Sequence, residues 1–286
     1  MNSKPVSPPS WWKHSVGSWN QLINYFNSIN LFDKSKLTCQ DNWLSISEGQ
    51  SNTNYQLKTC NNDFFVQIIN SNNYPLLPSL ETIKTFYQNF SDSKVSPWLV
   101  DCHLATDNLR IYSWFEKDIS DLTLFDNSCF FKTLLHFLVN LHQISNCEGT
   151  SIVTIDINKY LSDYKQQASI ISPDKQEEIE ILYKSAIQYS SEFKASRLCH
   201  NDLSYGNLLW NSKQNLKIID WEYACFGDPV MDLANLILNC QLNEKQESLL
   251  IQSYSQASNN VIDKNKLSNM KQLCQIISKL WLIAQN

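Results

Sequence analysis

Between Cys199 and Leu236 the chain reads CHNDLSYGNLLWNSKQNLKIIDWEYACFGDPVMDLANL, and no other stretch constrains the fold as tightly. His200 stands two residues before Asp202, and Asn207 follows five residues later. The apolar run Leu216–Ile219 then ends in Asp220. The spacing predicts a loop, a short hairpin, and a strand whose end holds a carboxylate. Asp202, Asn207 and Asp220 are the acceptors that a metal–phosphate site requires. One carboxylate faces a substrate hydroxyl; an amide oxygen and a second carboxylate hold Mg²⁺ against phosphates. Asp202 is the candidate general base, since a carboxylate within hydrogen-bond reach can take or orient a hydroxyl proton. Asn207 offers a neutral oxygen that adds no negative charge. A strand end holds Asp220 rigidly, as an ion demanding octahedral geometry requires. His200 is expected to orient the loop. Glu222 holds a second ion or a cationic substrate, or caps a turn. Asp232 is expected to start a helix or brace a loop.

Composition removes several function classes. A net charge of −5 with two arginines, Arg110 and Arg197, leaves no basic face for nucleic acid. No run of about 20 apolar residues is present, so no membrane span is expected. MNSKPVSPPSWWKHS has no apolar core of a secretory signal. Nine scattered cysteines without a CxxC fit reduced thiols in a cytoplasmic protein better than disulfides or zinc. Oligomeric state is not legible.

Along the chain, helical spacing covers Trp19–Phe32, and from Trp43 the pattern turns to strands at Trp43–Ser47, Tyr55–Thr59 and Phe64–Ile69. The polar segment Glu48–Asn54 between the first two strands has the layout of a loop over nucleotide phosphates. Backbone N–H groups around Gly49 and Thr53 and the side chains of Ser51 and Asn52 are its donors; an ordinary hairpin is the alternative. A helix is expected over Leu80–Phe90, carrying Glu81, then strands at Val95–His103 and Leu109–Phe115. Further helices are expected at Asn127–Ile144, Ile157–Ile171, from the Ser172-Pro173 start to about Phe193, Glu244–Ala257 and Lys266–Ile283. His142 closes its helix, where the dipole favours an imidazole. The plan is α+β. An N-terminal extension and helix occupies 1–35, and a small antiparallel-sheet lobe with nucleotide loop and hinge 36–116. A larger, mostly helical lobe with catalytic loop and substrate site occupies 117–286.

HND with Asn207, IDWEYA and DPVMDLANL together resemble the aminoglycoside phosphotransferase and choline kinase superfamily. IDWEYA is nearer in look to the choline, ethanolamine and thiamine kinases. The resemblance implies a protein-kinase-like bilobal fold, ATP and Mg²⁺, and transfer of the γ-phosphate to an alcohol. It implies Asp202 as base, Asn207 and Asp220 as metal ligands, EGQSNTNYQL as nucleotide loop, and Tyr112–Glu116, with Trp114, as the adenine-binding connector. One departure stands out. The strand Phe64–Ile69 has Gln67 where the family carries a basic residue for the phosphates and Glu81 as its partner; Lys58 is a candidate substitute. The acceptor is expected to be a small cationic alcohol, met by Glu222, Trp221, Tyr223 and Tyr205, with Trp281 within reach. A nucleotide-binding pseudokinase and an antibiotic kinase stand as alternatives.

Overall fold

The computed structural model describes residues 7–28, 37–46, 52–59, 62–69, 86–90, 93–106, 109–117, 123–146 and 152–285. The chain divides into two compact units, Met1–Pro75 with Val100–Glu116, and Leu76–Leu99 with Lys117–Asn286.

In the first unit, helix α1 (Val16–Ser28) packs on a five-stranded antiparallel sheet. Its strands are β1 (Trp43–Ile46), β2 (Asn52–Leu57), β3 (Phe64–Ile69), β4 (Cys102–Thr106) and β5 (Leu109–Ser113), ordered β1-β2-β3-β5-β4. Strict alternation makes β3 a half-buried strand. Phe64, Val66 and Ile68 join Leu109 and Ile111 of β5 in one core with Trp19, Leu22 and Phe26 of α1. Phe65 and Gln67 consequently point to the opposite face. Trp11 and Trp12, ahead of α1, pack against Trp19 and Trp43 in edge-on and tilted pairs.

In the second unit, β6 (Arg197–Cys199) pairs with β9 (Cys225–Gly227), and β7 (Leu208–Trp210) with β8 (Leu216–Ile218). Around these ribbons stand α2 (Ser128–Leu141), α3 (Ile157–Ile171), α4 (Gln176–Tyr189), α5 (Pro229–Asn239), α6 (Glu244–Ser258) and α7 (Lys264–Ile283). The long α7 packs on α3, α4 and α5. Caps fix the starts: Asn127 Oδ1 accepts from the N–H groups of Cys129 and Phe130 at 3.0 and 3.1 Å, and Asp228 Oδ1 accepts from Val230 at 2.9 Å ahead of Pro229.

Three local expectations need correction. Val95–His103 is not one strand: Ser96–Trp98 forms a 3-10 turn with Pro97 inside it, and extended pairing starts at Cys102. Ser172 does not cap with its side chain; Oγ donates instead to the Ile283 carbonyl at 3.2 Å, and a 3-10 turn at Pro173–Lys175 precedes α4. The strand expected at Tyr55–Thr59 is β2, displaced toward Asn52.

Candidate active site

The loop after β6 is held from one face of α5. Asp232, in the first turn of that helix, is fully buried. Its Oδ2 accepts from the His200 N–H at 2.8 Å, its Oδ1 from the Asn201 N–H at 2.7 Å, and His142 Nε2 lies 3.1 Å from Oδ2. Burial works against the charge, yet the donors of His142 and His200 hold the carboxyl below its ordinary pKa. Asn235 Nδ2 donates to the Asn201 carbonyl at 3.2 Å, and Asn239 Nδ2 to the Leu203 carbonyl at 3.1 Å. Residues 232, 235 and 239 share one helical face. Three side chains of the helix therefore hold the loop's backbone through four hydrogen bonds. Asn201 itself takes a left-handed conformation (φ 64°), which Asn tolerates, and its Nδ2 donates to the Tyr223 carbonyl at 3.0 Å.

Within this loop the expected residues come together. Asn207 Nδ2 donates to both Asp202 Oδ2, at 3.0 Å, and the Asp202 carbonyl, at 2.7 Å. The amide is thereby oriented, with its Oδ1 turned away as an acceptor. Asn207 immediately precedes β7, and its carbonyl accepts from the Ile219 N–H at 3.1 Å. Leu208 pairs with Ile218, so the ladder brings Asp220 beside Asn207. Asp220 has φ 67° and ψ 53°, a left-handed turn that leads the chain out of the strand into the 3-10 turn Trp221–Tyr223. His200 is buried and has its tautomer fixed: Nε2 donates to the Ile219 carbonyl at 2.9 Å, and Nδ1 accepts from the Asp202 N–H at 3.2 Å. Burial lowers its pKa. It is a neutral spacer between the loop and β8.

Burial, with the nearby charges of Glu222 and Asp232, pushes the Asp202 carboxyl up to about 7, against the Asn207 hydrogen bond that lowers it. A carboxylate poised near neutrality is matched to proton transfer at working pH. The oxygens of Asp202, Asn207 and Asp220 are the hard donors that Mg²⁺ prefers. Among the described residues, one group of His, Cys, Asp and Glu side chains has ligand spacing: His142, Cys199 and Asp232. There both Asp232 oxygens are occupied by N–H donors and burial pushes the Cys199 thiol well up, so it works as a brace.

The aromatic expectations divide. Trp221 is 3% exposed, stacks on Phe86 with centroids 4.6 Å apart, and donates Nε1 to the Ile218 carbonyl at 2.9 Å. Its ring is part of the buried core of this unit. Tyr205 packs edge-on against Phe125 at the margin of that core. Trp281 is half-buried on the core as well. Tyr223 is half-buried, and burial together with Tyr164, Glu222, Asp202 and Asp220 raises its pKa strongly. Glu222 is 8% exposed. Two residues of α3 join this group: Tyr164, which feels the Asp202 charge, and Tyr160, whose hydroxyl donates to that of Tyr164 at 3.3 Å. Their i,i+4 spacing in α3 was the available signal, but it reads equally as helix packing.

On the nucleotide side, Gly49, Ser51 and Glu81 lie outside the described residues, as does the side chain of Asn52. Thr53 is in β2 opposite Ile68. Gln67 is buried, opposite Arg110 of β5, and its Oε1 accepts from Arg110 Nη1 at 3.2 Å. Lys58 follows β2 and is exposed. Tyr112 is half-buried in β5 beside Phe65. Trp114 spends its backbone N–H on the Asp63 carbonyl at 2.9 Å and its Nε1 on Glu116 at 2.7 Å.

An uncharacterised protein of Metamycoplasma hominis is 27% identical over 235 residues, 80% of this chain and 42% of its own length. Protein LicA of Haemophilus influenzae is 23% identical over 225 residues, 74% of this chain and 62% of its own. The chain thus spans about half the length of these curated relatives. Among solved structures, choline kinase LicA from Streptococcus pneumoniae matches with TM-score 0.72 and 18% identity, over 92% of this chain and 89% of that one. A Plasmodium vivax ethanolamine kinase matches with TM-score 0.69 and 14% identity, over 95% and 83%. These likenesses show a kinase-type fold. The model of the phosphotransferase enzyme family matches residues 42–262, which include the whole Asp202–Asn207–Asp220 loop and hairpin, and the chain belongs to that family.

Proposed function

We propose that this chain is a small-molecule kinase that moves the γ-phosphate of ATP to the hydroxyl of a small cationic alcohol of the choline, ethanolamine or thiamine type. The observation that carries the reaction class is the Asp202–Asn207 pair, held on a loop whose backbone three side chains of α5 fix. Asp202 accepts the hydrogen bond of the acceptor hydroxyl and takes its proton as the oxygen attacks the γ-phosphorus, whose bond to the β–γ bridging oxygen breaks so that ADP leaves. Asn207 Oδ1 and the Asp220 carboxylate would hold Mg²⁺, which would supply positive charge against the phosphates. His200 keeps the loop in register as a neutral spacer.

The acceptor class is supported by the company of Asp202. Glu222, Tyr164 and Tyr223 combine a carboxylate with aromatic rings, and ring faces attract a desolvated cation. The fold shared with a choline kinase and an ethanolamine kinase points the same way.

The test is ADP release by the purified chain with Mg-ATP against choline, ethanolamine, thiamine and an aminoglycoside. One of the three small cations should raise the rate over the no-acceptor control. Asp202→Ala should lower kcat by about 10²–10⁴-fold, the usual contribution of a positioned base, while ATP still binds. ATP binding with no turnover on any acceptor would replace the proposal with a nucleotide-binding regulator.

A further inference from the structure

We infer that Arg110 of β5 supplies the positive charge for the nucleotide phosphates that position 67 of β3 does not carry. The inference rests on the nucleotide-binding part of the proposed function. The face of the sheet turned away from α1 carries a polar row across three strands. Asn54 of β2 pairs with Gln67 of β3, and Gln67 pairs with Arg110 of β5. All three are buried, at 6%, 8% and 5% exposure. Directly opposed residues in an antiparallel pair have Cβ atoms about 4.5–5.5 Å apart. A guanidinium rooted at 110 therefore starts one strand away from where a cation at 67 would start. A long side chain covers that distance.

The contact between the two supports the exchange of roles. Arg110 Nη1 donates to Gln67 Oε1 at 3.2 Å. Gln67 aims the guanidinium fork without adding charge, and its own NH₂ group remains a donor suited to a phosphate oxygen. An arginine stays charged at any working pH, and its planar fork fits two phosphate oxygens at once. Lys58, the substitute suggested by the sequence, lies just past the end of β2, four residues on from Asn54. At about 3.4 Å per residue that is ~14 Å from the polar row, and Lys58 is exposed. Among the described residues of the first unit, Arg110 is the one buried Lys or Arg side chain.

The experiment compares Mg-ATP with adenosine on the full chain by calorimetric titration. Wild type should bind Mg-ATP more tightly than adenosine. Arg110→Gln should lower Mg-ATP affinity about 10- to 100-fold, the loss of a charge-assisted contact, and leave adenosine within about twofold. Adding Gln67→Arg to that variant should restore Mg-ATP affinity. Mg-ATP binding that survives Arg110→Gln unchanged overturns the inference and leaves the nucleotide-binding reading intact. A wild-type chain that binds no ATP overturns that reading, and the inference with it. A second readout stands independently of whether Arg110→Gln folds. The chain has two arginines, so its arginine side-chain Nε–H spectrum holds two signals, which Arg197→Lys assigns. The Arg110 signal should move with Mg-ATP and stay with adenosine. A signal unmoved by saturating Mg-ATP refutes the role.

Discussion

Asp232→Asn removes one charge and one acceptor from the junction of α5 with the loop that follows β6. In the native protein three groups point at its carboxylate: the N–H of His200 at 2.8 Å, the N–H of Asn201 at 2.7 Å, and His142 Nε2 at 3.1 Å. An asparagine keeps one carbonyl oxygen. In either flip its NH₂ group faces a backbone N–H that has no acceptor in the dry interior. The loss is then one charge-assisted hydrogen bond, about 1.5–3 kcal/mol, plus one unsatisfied buried donor, about 1–3 kcal/mol. The sum is about 2.5–6 kcal/mol, a large part of the 5–15 kcal/mol that holds typical domains folded. Equilibrium urea unfolding of both proteins at pH 7 measures it. Hydrogen exchange at the His200 and Asn201 amides should accelerate as well. The pH dependence has a definite sign. The folded pKa of Asp232 is depressed, so its contribution is present above the unfolded carboxyl value of about 3.9 and is lost as pH falls through the folded pKa. A difference below about 1 kcal/mol at pH 7 with unchanged amide protection would refute the reasoning, since a loss that small fits an exposed hydrogen bond.

Asp202→Asn should have the opposite pH signature. The folded pKa is raised to about 7 in the ligand-free chain, so stability present below the unfolded value is lost as pH rises through 7. The neutral variant lacks that slope, and its unfolding free energy should gain on wild type between pH 4 and 8, by on the order of 4 kcal/mol at most; parallel stability–pH curves would contradict the raised pKa. Trp221→Ala should cost about 3–5 kcal/mol, as core truncation of a large aromatic does, while Trp221→Phe keeps the acceptor's KM unchanged; a raised KM at unchanged melting temperature would return Trp221 to the substrate surface. Glu222→Gln should raise KM about tenfold or more for a cationic alcohol and leave a neutral isostere unaffected; equal effects on both would remove Glu222 from charge recognition.

Much of the site was legible because it is local. Asp202, Asn207 and Asp220 lie within 19 residues on a loop and a hairpin, and short connections leave few ways to arrange them. Asp232 was readable as a brace from its place beside Asp228 and Pro229. The Asn235 and Asn239 contacts were not, because asparagines in a helix ordinarily face water. Their carbonyl partners lie more than 30 residues back. Trp221 had two readings from the sequence, substrate surface and core, and could not be settled there for a related reason. Proximity in sequence to Asp220 suggested the substrate, whereas the ring stacks on Phe86 in the core. Tyr160 and Tyr164 come from a helix some 40 residues earlier, and only tertiary packing brings them to Asp202. Arg110 illustrates the same limit. The missing cation at Gln67 was visible along the strand, but its neighbour across the sheet depends on register, which the turns and the buried face fix together.

The proposed reaction is tested most directly by following the phosphorus. Wild-type chain, Mg-ATP and choline, ethanolamine or thiamine should give a new phosphate-ester signal in the ³¹P spectrum as the γ-phosphate signal decays. Asp202→Ala should bind ATP and give no such signal on the same timescale. Loss of the γ-phosphate signal to inorganic phosphate alone, or an equal ester signal from Asp202→Ala, would contradict the assignment of phosphoryl transfer to this loop.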